Sequence, residues 1–150
     1  MTTVEERAEA RTAALNRLRR RVDSGLIVDR SSTDAGRNDR FEFVMDVITV
    51  SGAADIVGDK RGTDKARSGK GPGGRKAKVT DVAVLVLMHM VQLQFQPSEI
   101  KEMADELLAL SDEQRHRLGL GDDFTKDNAY GRVWSAFHRY LNVVDPFPIT

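Results

Sequence analysis

The sequence predicts an all-α fold: a small helical bundle of five or six helices with a flexible, basic, glycine-rich linker. Three observations support this prediction. Apolar residues recur every three or four positions through the second half of the chain, which is the spacing of one face of an α-helix. Several Ser or Thr residues stand three positions before a Glu or Gln, the pattern of an N-terminal helix cap. Between Lys60 and Lys78, eight basic residues and five glycines accompany a single acid, a composition that cannot form a core.

The overall composition is that of a globular protein with one core. The chain has 150 residues, and its 23 basic residues balance 23 acidic ones. Any case for nucleic-acid binding therefore depends on where the charges lie, because the net charge gives none. The absence of cysteine excludes disulfides, thiolate metal sites and cysteine nucleophiles.

The N-terminus and the longest apolar run indicate a protein that is neither exported nor inserted in a membrane. Residues 1–6 are acidic and lack the basic and apolar regions of a secretory signal. The run from Val82 to Val91 is too short to cross a hydrocarbon core. We therefore expect a cytoplasmic protein with no membrane partner.

The first helix is predicted from its two ends. Thr3 and Glu6 have the spacing of a capping box, and Gly25 suits the residue that follows a helix. One apolar stripe runs along this helix through Val4, Ala8, Leu15, Leu18 and Val22. The stripe predicts a helix docked on the rest of the protein, with a short coiled-coil arm as the alternative.

A second helix is predicted before the linker. Residues 30–39 are polar and predict a loop, after which Asp39 and Glu42 offer another capping pair. The alternation of Phe41 and Phe43 with the apolar residues that follow would also suit a strand. We favour a helix because the spacing of three and four is equally present.

Two helices are predicted directly after the linker. Thr80 is a suitable N-cap for an apolar helix through Leu93 that would occupy the centre of the core, with a strand as the minor alternative. Pro97 and Ser98 would open the next helix, which is amphipathic from Ile100 to Leu108.

Two more helices complete the prediction. Ser111 and Gln114 form a further capping box for a short helix that Gly119 would end, and Asp127 would cap the last helix. We expect one face of the last helix to pack in the core, the face formed by Tyr130, Val133, Trp134, Phe137, Leu141 and Val144.

The predicted organisation has three parts. Residues 1–58 form an N-terminal helical segment, residues 59–78 the flexible basic linker, and residues 79–146 the helical core domain.

No residue pattern predicts catalysis, a metal or a cofactor. Gly69 and Gly74 have the spacing of a phosphate-binding loop, but Arg75 and Lys76 follow where such a loop needs Lys and then Ser or Thr. The three histidines lie on different predicted helices without metal-ligand spacing. We therefore expect no enzyme and no small-molecule substrate.

Part of the second half resembles a known family. Three segments carry the likeness: residues 73–80 (GGRKAKVT) with the apolar helix after them, residues 110–120, and residues 130–146 with Trp134 and Asp145-Pro146. Together they look like the N-terminal region of transposase-like proteins of GC-rich bacteria, over residues ~73–146. The resemblance implies a helical region that helps to recognise transposon ends. The nuclease domain of such transposases, with its acidic triad, is not expected within this chain.

We therefore predict a non-catalytic DNA-binding or assembly module. The candidate DNA-binding residues are Lys70, Arg75, Lys76, Lys78, Arg115, Arg117, Arg132 and Arg139. The alternative is a structural or protein-interaction domain without a nucleic-acid role. It would be a homodimer through the first helix or through the apolar face near Trp134.

Overall fold

The computed structural model describes residues 3–58, 78–94 and 99–144, and its regular structure in these ranges is entirely helical. The helices are α1 (Val4–Ser24), α2 (Asp34–Ser51), α3 (Asp81–Gln92), α4 (Ile100–Ala109), α5 (Asp112–Arg117) and α6 (Lys126–Val144). Residues 53–58 form a further helical segment after α2. The predicted all-α bundle is confirmed. Most of the predicted linker, residues 59–77, lies outside the described residues.

The predicted helix starts at Thr3, Thr80 and Ser111 are confirmed. Thr3 and Ser111 each begin a complete capping box. The hydroxyl accepts from the backbone N–H of the residue three positions later, Glu6 or Gln114, and that residue's side chain accepts from the backbone N–H of Thr3 or Ser111. Thr80 accepts a hydrogen bond from the backbone N–H of Ala83 at 3.1 Å. Gly25 ends α1 in the left-handed region at φ 82°, a conformation that costs glycine little.

Two predicted helix starts were wrong. The second helix begins at Asp34 and not at Asp39, because the Thr33 hydroxyl accepts from the N–H of Gly36 at 3.0 Å and so caps the helix earlier. The last helix begins at Lys126, which puts Asp127 in its first turn and not at its cap. The predicted opening of α4 at residues 97 and 98 lies outside the described residues.

Helix α3 forms the centre of the core. Seven of its twelve residues are buried, and α2, α4 and α6 all pack against it. Phe41 and Val44 of α2, Leu107 of α4 and Val133 of α6 belong to the same buried cluster. Because these helices share one core, α2 is part of the same body as the second half of the chain.

Helix α1 is attached differently. It packs mainly on α2, and Ala14 is its single buried residue. Arg17 pairs with Asp46 at 2.9 Å, and Arg21 pairs with Asp39 at 2.9 Å. Leu15 and Leu18 of the predicted stripe are half-buried. The rest of that stripe is exposed: Val4, Ala8 and Val22. Docking of α1 is confirmed, but ion pairs supply much of the contact.

None of the helices in the described ranges is both long enough and apolar enough to span a membrane.

Candidate interaction surface on the last helix

The side of α6 that faces the core matches the predicted face only in part: Val133 is buried, and Phe137 and Val144 pack against the core, but the other three predicted residues are exposed. Ala129, Val133, Ala136 and Tyr140 are buried, and they recur at helical spacing. Of the predicted core face, Tyr130 and Trp134 are about half exposed, at 52% and 46%. The two alanines explain the difference, since small side chains let α6 lie close to α4 and the large aromatic residues then fall on the outer side.

The outward side of α6 carries four large side chains, which we call the α6 aromatic face: Tyr130, Trp134, His138 and Leu141. The Trp134 and His138 rings are stacked, with centroids 4.1 Å apart and planes inclined by 30°. His138 Nδ1 lies 2.8 Å from the carbonyl oxygen of Trp134 and must donate, since that oxygen can only accept. The stack and this hydrogen bond hold the exposed rings in one orientation.

Small residues leave room beside the α6 aromatic face. Gly131 is exposed, and a Cβ atom built there would meet nothing within 4 Å. Ser135 is exposed one turn later. An acid, Asp127, stands in the first turn of the helix, whereas Arg139 lies near the other end. The surface therefore has an apolar centre and an open flank, with Asp127 towards one end, whereas Arg139 lies about 140° around the helix from Trp134.

Two of the predicted DNA-binding residues meet at one carboxylate. Asp123 lies 3.3 Å from Arg132 and 3.6 Å from Lys78. The hydrogen bond from Arg132 is the main reason that the pKa of Asp123 lies below its usual value. The Arg132 guanidinium also lies over the Phe124 ring, 5.0 Å from its centroid. Both cations therefore have partners within the protein.

The other described candidates lie on different elements. Arg115 donates to the carbonyl oxygen of Leu108 at 2.9 Å. Arg117 forms an ion pair with Glu42 of α2 and lies over the Phe41 ring. Arg139 is exposed, and its Nε donates to the backbone oxygen of Ser135 at 3.3 Å. Lys78 and Arg132 are thus brought together at Asp123, whereas Arg115 contacts α4 and Arg117 contacts α2. The remaining candidates, Lys70, Arg75 and Lys76, lie outside the described residues.

Sequence reasoning missed a buried polar network between α2 and α4. Arg40 is fully buried and donates to the backbone oxygens of Asp29 and Ser31. With its amide oxygen oriented towards Arg40 and its nitrogen towards Glu106, the orientation that satisfies both neighbours, Gln94 accepts from Arg40 Nη2 at 3.1 Å and donates to Glu106 Oε1 at 2.9 Å. Burial raises the pKa of Glu106 and lowers that of Arg40, since each charged form loses its hydration.

A signal for this network was present in the sequence. Arg37 and Arg40 fall on the same helical stripe as Phe41, Val44 and Ile48, which form the core side of α2. Charged residues on a core stripe are uncommon unless they are paired. Arg37 indeed lies 3.6 Å from Glu106, at the edge of the same network. The network fixes the 29–31 loop to the bundle, because Arg40 donates to the backbone oxygens of both Asp29 and Ser31.

The described residues contain no group of three or more His, Asp or Glu side chains that could hold a metal ion. Compared with family models, curated proteins and solved structures, the chain gave no match. The resemblance to transposase N-terminal regions therefore stays a prediction, and function has to be argued from the surfaces themselves.

Proposed function

We propose that the chain is a non-catalytic assembly module that forms a homodimer through the α6 aromatic face. The carrying observation is the exposure of Trp134, the sole tryptophan, on a helix whose other side lies in the core. Tyr130 and Leu141 extend the exposed apolar surface on the same side. Contiguous apolar surface is uncommon on monomers, and Trp, Tyr and Arg are the residues that contribute most to protein interfaces.

The positions of the exposed residues along α6 suit a second copy as the partner. Asp127 stands seven residues before Trp134, and Leu141 stands seven residues after it. In an antiparallel pair with its two-fold axis near Trp134, Asp127 of one copy reaches the level of His138 and Leu141 of the other. The two helix dipoles then oppose each other, and Gly131 and Ser135 let the backbones approach.

Sedimentation and tryptophan fluorescence test this dimer. We expect a dimer that dissociates on dilution, with a red shift of Trp134 emission as the ring becomes hydrated. Trp134→Ala should leave a monomer, whereas Val22→Ala, at a site on α1 that is 63% exposed, should leave the dimer unchanged. A wild-type monomer at the highest measurable concentration would contradict the proposal.

A charge reversal tests the antiparallel orientation. Adding His138→Glu to Asp127→Lys should strengthen the dimer relative to Asp127→Lys alone, because an antiparallel pair then brings a new cation on each copy close to a new carboxylate on the other. Asp23→Lys on α1 is the matched control and should have no effect. Far-UV circular dichroism must show intact helices, since Asp127 lies in the first turn, where an acid is favourable. Failure of the double variant to dimerise more tightly than Asp127→Lys alone would argue against antiparallel packing.

DNA binding is the second candidate function. Arg139 is exposed and has no carboxylate partner among residues 3–58, 78–94 and 99–144. It lies two turns from Arg132 on the same side of α6, and Arg132 shares Asp123 with Lys78. These cations could neutralise successive phosphates of a DNA backbone, and the resemblance to transposase N-terminal regions supports the same role.

Titration of the chain with a labelled duplex at two salt concentrations tests DNA binding. Affinity should fall steeply with salt, and Arg139→Gln should reduce the slope of log K against log salt by about one. Asp123→Asn should strengthen binding, because it frees Lys78 and Arg132. Arg19→Gln, at an exposed position of α1, is the control. Absence of binding at low salt would remove this candidate without affecting the dimer.

A further inference from the structure

A cavity lies between α2 and α3, away from the α6 aromatic face. Its volume is about 190 Å³. Phe43, Val47 and Ile48 of α2 form one wall, and Leu85 and His89 of α3 form the other. The cavity is partly open to solvent, and Val47 in its lining is 38% exposed.

The size and lining of the cavity limit what it could hold. An apolar cavity of about 150 Å³ is large enough to bind benzene and stays dry when empty. This cavity is slightly larger, and its walls are mainly aliphatic and aromatic. A single six-membered ring with one small substituent matches both its volume and its lining.

His89 adds one polar requirement. Its Nδ1 lies 2.7 Å from the carbonyl oxygen of Leu85, which can only accept, so Nδ1 carries the proton. In the neutral ring Nε2 is then an acceptor. Within the described parts of the chain no side chain or backbone group is hydrogen-bonded to Nε2. A ligand that fills the cavity would therefore gain by offering a hydrogen-bond donor.

We infer that the cavity between α2 and α3 binds a small aromatic molecule that carries one donor group, of the phenol class. The ring packs between Phe43, Ile48 and Leu85, and the hydroxyl donates to Nε2 of His89. Phenol and toluene are a matched pair of probes for this site, because they have the same shape and differ in the donor.

Binding is measured by titrating the full chain with each probe and following backbone amide shifts by NMR. We expect saturable shifts confined to α2, α3 and residues 53–58, with a dissociation constant on the order of 1 mM for so small a ligand. Phenol should bind about fivefold more tightly than toluene, the usual effect of one hydrogen bond. Equal affinities would overturn the role of His89, and the absence of saturable shifts would overturn the site.

Two variants locate the ligand. His89→Leu should abolish the difference between phenol and toluene while toluene still binds. Val47→Trp should fill the mouth of the cavity and abolish binding of both, and Val22→Trp on α1 is its matched control. Val47 is partly exposed, so the larger ring should be tolerated, and a thermal melt of each variant checks folding. The proposal would be contradicted if phenol still bound to a folded Val47→Trp variant. It would also be contradicted if the amide shifts around the cavity changed with protein concentration and not with ligand concentration.

Discussion

Helices α1 and α3 are stabilised by different interactions, although both are regular and well capped. Seven of the twelve residues of α3 are buried, whereas α1 has 21 residues and buries Ala14 alone. Helix α3 is held by apolar contacts with three other helices, and α1 is held on α2 by two Arg–Asp pairs and a few half-buried side chains. Burial of apolar surface is the larger stabilising effect, and exposed ion pairs contribute little.

The difference implies that the two helices open separately. An isolated helix of this length is only marginally stable in water, even with good caps and favourable charges at its ends. If α1 leaves α2, the shared core of α2, α3, α4 and α6 keeps its contacts. We therefore expect α1 to open at a lower free energy than α3, and the two hydrogen-exchange predictions below test that ordering.

The largest effect is expected in α3. Leu87 is fully buried, so Leu87→Ala should lower the free energy of unfolding by about 2–5 kcal/mol. Urea denaturation followed by circular dichroism measures it. Leu26→Ala, at a residue that is 68% exposed, should change stability by less than about 0.5 kcal/mol. Similar losses for both variants would mean that α3 is not the centre of the core.

The next effect concerns the buried network between α2 and α4. Arg40→Met keeps most of the side-chain volume but removes the donors to Asp29, Ser31 and Gln94. It also leaves Glu106 with less compensation for its charge, so we expect a loss of about 3 kcal/mol in the free energy of unfolding. Arg20→Met on α1, at an exposed position, is the control. A more stable Arg40→Met variant would show that the desolvation cost of the buried charges exceeds the stabilisation from their hydrogen bonds and ion pairs.

The features that could be predicted from the sequence are those determined by residues close together in the chain. Helix starts at Thr3, Thr80 and Ser111 could be predicted because a cap is satisfied by residues three positions away. The exposure of Trp134 could not be predicted, since Trp134 and Val133 were assigned to the same core face and only the packing of α6 against its neighbours separates them.

The pairing of distant charges was also beyond local signals. Arg117 and Glu42 are 75 residues apart in the chain, and Arg132 meets Lys78 through Asp123. The candidate cations were chosen from charge and position in the sequence, but which of them stay exposed is decided by the packing of the helices. An apolar face near Trp134 was predicted from the sequence as an alternative dimer surface, whereas the exposure of Tyr130, Trp134 and Leu141 is set by the packing of the helices.

A smaller effect is expected where α1 meets α2. Asp46 is buried; its two carboxylate oxygens share the Nε–H of Arg17 at 3.1 Å, and Oδ1 also accepts from Arg17 Nη2 at 2.9 Å. Asp46→Asn should cost only about 1 kcal/mol, because Arg17 is half exposed and can return to water. Hydrogen exchange should show faster exchange in α1 and unchanged protection in α3. Asp23→Asn, at an exposed position near the end of α1, should change neither. Faster exchange in α3 would mean that the two helices open together.

The smallest effect is that of salt, and it requires no substitution. At 1 M salt the screening length falls to about 3 Å, so exposed ion pairs weaken while apolar contacts do not. The Arg21–Asp39 pair is partly exposed, and amide protection in α1 should fall a few-fold between low and high salt. Protection in α3 should stay constant or rise. If protection in α1 is instead insensitive to salt, its half-buried Leu15 and Leu18 contribute more to docking than its ion pairs. Apolar contacts would then stabilise both helices, and α1 and α3 would differ only in how much apolar surface they bury.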